Sequence, residues 1–168
     1  LLSLYTADPA VVAVGMERMW IVCGPARQLG INSIIDDVDL DRAQLYSMAG
    51  MFLESRQVLD NNIDTARLNR RQLVRFCDVQ QRFYTNFSDY TSDAHTRDES
   101  HDMRSYYRKR ILELSVPSDE IYQQMLVVNH VENGEYEEAE RLNLAILCFE
   151  ILKIEIRICS LFRCKTDI

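Results

Sequence analysis

Apolar positions recur at helical intervals through most of the chain, and the clearest run is the stretch from Leu40 to Tyr90. It holds no proline and a single glycine, Gly50. Leu45, Phe52, Leu59, Ala66, Leu73 and Phe87 follow one another at seven-residue spacing or its multiple, with Gln80 standing in the gap. Met48, Phe76, Phe83 and Tyr90 fill the companion row, which Ser55, Asn62 and Asn69 interrupt. Side chains three, four and seven apart share one helix face, so this pattern predicts helix. The weak middle puts a break at Asn61-Asn62 and predicts two helices. One bent helix of about fifty residues is the alternative, with a coiled-coil character.

Other elements follow from their start and stop signals. Asp8-Pro9 opens a helix, since Asp accepts from free amides and Pro fits the first turn. The apolar stretch behind it ends at Gly24-Pro25, where Pro cannot continue a helix. A strand over 19–23 competes with that reading. Residues 26–38 read as a connector, and the acidic run Asp36 to Asp41 as a cap for the next helix. A calcium loop starting at Asp37 fails, because Arg42 and Met48 replace the turn glycine and the bidentate glutamate. Residues 92–102 are polar and aperiodic, a loop. Helix is predicted from Asp102 to Leu114, stopped ahead of Pro117.

Ser118 then caps a helix with Ile121, Met125 and Val128 on its inner stripe, and Asn133-Gly134 ends it. The last helix starts near Glu135 and is apolar on two faces: Tyr136, Ala139, Leu142, Ile146 and Phe149 on one, Leu144, Leu147, Ile151, Ile154 and Ile158 on the other. A helix apolar all round is buried or paired with another chain. Residues 152–158 also alternate with period two, a strand signal that competes there.

The hairpin over residues 118–149 resembles one tetratricopeptide-type repeat. Gly134, Tyr136 and Ala139 stand at that repeat's turn-and-second-helix spacing, and Leu126 stands where its first helix carries Leu. Asn143, Ile146 and Ile151 depart from it, occupying positions of an aromatic, an alanine and a proline. No second copy stands out at a 34-residue period, and repeat arrays need about three copies. The resemblance therefore implies a generic helical hairpin more than family membership.

Composition narrows the class. Five glycines and three prolines are too few for an all-β fold with its many turns. A net charge of −7 disfavours duplex nucleic acid as the main partner. The five cysteines form no Cys-x-x-Cys pair and are odd in number, which fits buried free thiols in a reducing, cytoplasmic setting. No run of about 18 apolar residues predicts a membrane span. The opening Leu1-Leu2-Ser3-Leu4 has no Met, as expected of a piece of a longer chain.

Chemistry-bearing residues are sparse. His95, Glu99 and His101 lie close in sequence and could hold a metal, but His95 and His101 would not share a helix face. His130 falls late in a helix, where a cation suits the dipole. No phosphate loop or nucleophile elbow is present. Charge is more informative. Arg67, Arg70, Arg71, Arg75 and Arg82 set against Asp78 give +4, and Arg67, Arg71 and Arg75 stack one turn apart. Arg104, Arg108, Lys109 and Arg110 give a second +4 around Tyr106 and Tyr107. Glu132, Glu135, Glu137, Glu138 and Glu140 place −5 around the hairpin turn. These charges either pair with one another inside the fold or form a binding face.

The expectation is a single all-α domain over 1–168, an antiparallel bundle or short stack of five to six helices ending in a helical hairpin. Its expected function is a non-enzymatic protein–protein interaction or scaffold role. An acidic helix or peptide would bind through Arg67, Arg71, Arg75, Arg82, Arg104, Arg108 and Arg110 with Tyr106 and Tyr107. Reversing Arg71 and Arg75 should then weaken capture without touching stability. No cofactor, catalytic residue or metal ligand set is expected, and a homo-oligomer through residues 135–163 is. The alternatives are a metal-dependent helical-bundle enzyme and a module for RNA or an anionic membrane, the RNA held through basic groups and stacked tyrosines.

Overall fold

The computed structural model describes residues 9–147. Among them it holds α1 (Pro9–Gln28), α2 (Asn32–Met48), α3 (Phe52–Asn61), α4 (Arg70–Tyr90), α5 (Ala94–Leu114), α6 (Glu120–Glu132) and a seventh helix, α7, over residues 136–147. No strand occurs among the described residues, so the all-α expectation stands and residues 19–23 are helix. The competing readings of 152–158 lie outside the described residues. The chain divides into two compact units, Leu1–Leu114 and Ser115–Ile168.

Seven helices replace the five or six expected because the 40–90 stretch breaks twice, and two segments read as a connector and a loop are largely helical as well. The first is 26–38. Pro25 sits inside α1 without stopping it, and its carbonyl still accepts from Leu29 N at 3.0 Å. Proline removes one donor; it leaves the following turn free to form. The stop comes at Gly30, whose φ of +65° is left-handed. There Gly30 N donates to Arg27 O (3.2 Å) and Ile31 N to Ala26 O (2.9 Å). This paired closure is a Schellman motif, and a side chain at the left-handed position would meet the backbone. Gly50 (φ +75°) and Gly134 (φ +76°) close α2 and α6 with the same two bonds. The 40–90 stretch therefore breaks twice, at Gly50 as well as at the expected Asn61-Asn62.

Residues 94–102 are the second segment. Asp93 Oδ2 accepts from Thr96 N (2.7 Å) and from Thr96 Oγ1 (2.6 Å), which starts α5 eight residues before the expected Asp102. These bonds hold the Asp93 carboxyl below its ordinary pKa. Asn69 and Gln72 form a reciprocal capping box at the start of α4. Ser118 does not cap α6: Asp119 holds the N-cap position, and its carboxylate accepts from Val116 N at 2.9 Å.

In the first unit α2 packs against α1, α3 and α4, and α4 packs along α5. Leu40, Ala43 and Ile111 are fully buried there, with Val79 and Leu59 nearly so. Phe52 joins α3 to α4 by edge contacts with Phe83, Phe87 and Tyr90, at 5.9, 5.3 and 5.4 Å between ring centroids. In the second unit Met125 and Ala139 are buried. Ile121 is half-buried and Val128 exposed, so the expected stripe is buried only at its centre. Tyr136, Leu144 and Leu147 are exposed. Most of the face assigned to self-association, residues 135–163, lies outside the described residues.

Candidate interaction surface

The acidic run of α2 is not a cap. Asp36 and Asp39 lie within the helix and are 2% exposed, which a carboxylate tolerates only with partners. Arg67 supplies the partner for Asp36 with two nitrogens, Nη2 to Oδ1 at 2.7 Å and Nε to Oδ2 at 3.3 Å. This pairing raises the Arg67 pKa above its ordinary value. Asp39 meets Arg42 Nη2 at 2.8 Å and Asn62 Nδ2 at 3.4 Å. Arg75 pairs with Asp41 and, at 3.4 Å, with Asp37. The acids at 37 and 41 share the one-turn spacing of the arginine row. That match is the sequence signal for an α2–α4 charge ladder, and reading the acids as a cap concealed it.

Two members of the expected arginine stripe are therefore engaged inside the fold. Arg82 pairs with Asp78 one turn back on α4 at 3.0 Å. Arg71 is exposed, and among the described residues it has no ion-pair partner.

The second cluster divides in the same way. Arg108 is buried and Tyr107 is half-buried, stacked on Tyr84 with ring centroids 6.0 Å apart. Burial, with the neighbouring Tyr84, pushes the Tyr107 phenol up to about 12. Arg104 meets the His101 ring Nδ1 at 2.7 Å. Arg110 pairs with Glu113 at 2.6 Å, and that hydrogen bond raises its pKa. Lys109 and Tyr106 are exposed.

Antiparallel pairing brings the ends of the two clusters together. Arg70 Nε, at the start of α4, donates to Leu114 O at the end of α5 at 2.5 Å. Phe76 meets Tyr107 edge-on at 6.3 Å, about two turns further in. Arg70, Arg71, Lys109 and Arg110 consequently occupy one end of the α4–α5 pair. The opposite end carries Asp89, Asp93, Asp98, Glu99 and Asp102.

The histidines do not converge. His95 Nε2 meets Glu99 at 3.3 Å, whereas His101 is turned to Arg104, and no group of three or more His, Cys, Asp or Glu side chains among the described residues could hold a metal ion. His130 meets the Glu135 carboxylate across the Gly134 turn. Cys23 and Cys77 are buried free thiols, and burial pushes Cys77 up to about 11. Among the described residues no helix is long and apolar enough to cross a membrane.

Residues 5–152 match the family model of the SusR N-terminal TPR domain. No curated protein and no solved structure matches the chain.

Proposed function

The chain belongs to the family of the SusR N-terminal TPR domain, and from that premise, a tetratricopeptide-type helical domain of the kind that mediates protein–protein interaction, we propose an interaction domain that holds an acidic helix or peptide at the basic end of its α4–α5 pair. The observation that carries this reading is the Arg70–Leu114 bond, which sets two basic segments 44 residues apart in sequence at one end. The binding groups in this reading are Arg70, Arg71, Lys109 and Arg110, with Tyr106 exposed beside them. Arg67 and Arg75 hold the site from behind by tying α4 and its leading loop to α2. Exposed cations of this kind set association rate and partner choice, and their effect weakens with salt. Buried free thiols suit a reducing compartment such as the cytoplasm.

Fluorescence anisotropy with a labelled Glu-rich amphipathic peptide tests the reading. Arg71→Glu with Lys109→Glu should weaken binding about tenfold and leave the melting temperature in place. Equal affinity in wild type and variant would refute it. The RNA reading is less favoured, because the Tyr107 ring is stacked on Tyr84 and Arg108 is buried.

A further inference from the structure

The acidic end of the α4–α5 pair carries an open cavity of about 410 Å³ that the reading above leaves unused. Tyr84, Phe87 and Met103, all half-buried, give it an apolar floor. Glu99 and Asp102 line it as well, and both are exposed. The hydroxyls in the wall are already committed: Ser100 Oγ donates to Thr96 O at 2.7 Å, and Thr96 Oγ1 to Asp93 Oδ2 at 2.6 Å. The carboxylates are the groups left to meet a ligand. Glu99 meets the His95 imidazole at 3.3 Å, and Asp102 has no cationic partner among the described residues. Residues 89–102 hold five acids against one arginine, Arg97, whose guanidinium donates to Thr91 O at 3.0 Å.

We propose that this cavity receives a lysine or arginine side chain from a basic segment of a protein partner. Such a side chain is apolar along its stem and charged at its tip. The stem fits the Tyr84–Phe87–Met103 floor, and the tip reaches Glu99 and Asp102, where hydrogen bonds between charged groups are the strong kind. An apolar ligand would leave the carboxylates unused, and an acidic one would meet like charge. The site is separate from the basic end, and the α4–α5 pair therefore offers opposite charges to two different segments.

The test is anisotropy of a fluorescein-labelled, Lys-rich amphipathic peptide on the full chain, beside its Glu-for-Lys counterpart. Glu99→Gln with Asp102→Asn should weaken binding about tenfold, since two charge-assisted bonds are lost. Glu137→Gln with Glu140→Gln, which removes the same charge from the second unit, should change it less than about twofold. The methyl NMR signal of Met103 should move on adding the peptide. Equal weakening by both pairs, a still Met103 methyl, or no binding by wild type would each overturn the proposal. Arg71→Glu with Lys109→Glu leaves this site intact, so failure here and failure of the acidic-partner reading are told apart.

Discussion

Arg71 and Arg75 stand one turn apart on α4, yet reversing their charge should have different consequences. Arg75→Glu sets a carboxylate against Asp37 and Asp41 and should destabilise the fold by about 1–2 kcal/mol. Arg71→Glu touches no ion pair among the described residues and should leave the denaturant midpoint in place. Urea unfolding of the two single variants measures this, and equal midpoints would contradict the charge ladder. The ion pairs of Arg75 run against the sequence-based expectation that reversing both is stability-neutral, and that expectation is kept for Arg71. Two weak acids of a different kind, the buried Cys77 thiol and the half-buried Tyr107 phenol, bear on stability at alkaline pH. Folding raises the Cys77 thiol from 9.0 to about 11 and the Tyr107 phenol from 10.0 to about 12. Each raised pKa contributes stability that is complete below the unfolded value and is lost as pH climbs through the folded one. The melting temperature should thus hold up to about pH 9 and fall between pH 9 and 12, and Cys77→Ala with Tyr107→Phe should flatten that fall. A scan of melting temperature against pH for both proteins decides it.

Helix ends carry the next set of consequences. The left-handed glycines at 30, 50 and 134 end their helices with the same pair of bonds. Gly50→Ala should cost about 1 kcal/mol, because a Cβ is disfavoured at φ +75°. The ring of Tyr90, 3.8 Å from that Cβ, is ordinary contact and adds no clash. A calorimetric comparison with Gly24→Ala, which meets no such constraint in mid-helix and has open space at its Cβ, isolates the conformational cost. These positions also explain what was legible in the sequence. The Asn61-Asn62 break, the stop at Leu114 and the Gly134 turn were readable because each is a local signal. The end of α1 lies beyond the Pro25 that the sequence marks as a stop, since proline is a weaker stop than glycine when its own carbonyl can still accept. The start of α5 is not legible because Asp93 caps a polar opening, His95 to Ser100, that carries no apolar stripe.

At the scale of the whole chain, what the sequence concealed was pairing between distant segments. Asp36, Asp37 and Asp41 find Arg67 and Arg75 more than thirty residues away, and local spacing does not report such contacts. The match of residues 5–152 to a TPR-type family likewise extends well beyond the single hairpin over 118–149 that its residues made recognisable. Charge segregation along α4–α5 emerges only once antiparallel pairing is known. It leads to the expectation that an acidic peptide and a basic peptide bind together without competing, each lost on reversal of its own end. A competition titration with the two labelled peptides checks this, and mutual displacement would contradict it. The most direct measurement is a two-dimensional amide NMR titration of the full chain with the Glu-rich peptide. The expected result is shifts concentrated at Arg70, Arg71, Lys109 and Arg110, fading as salt is raised, with residues 96–103 unmoved. Shifts confined to another surface, or none at saturating peptide, would contradict the assignment of the basic end as the partner site.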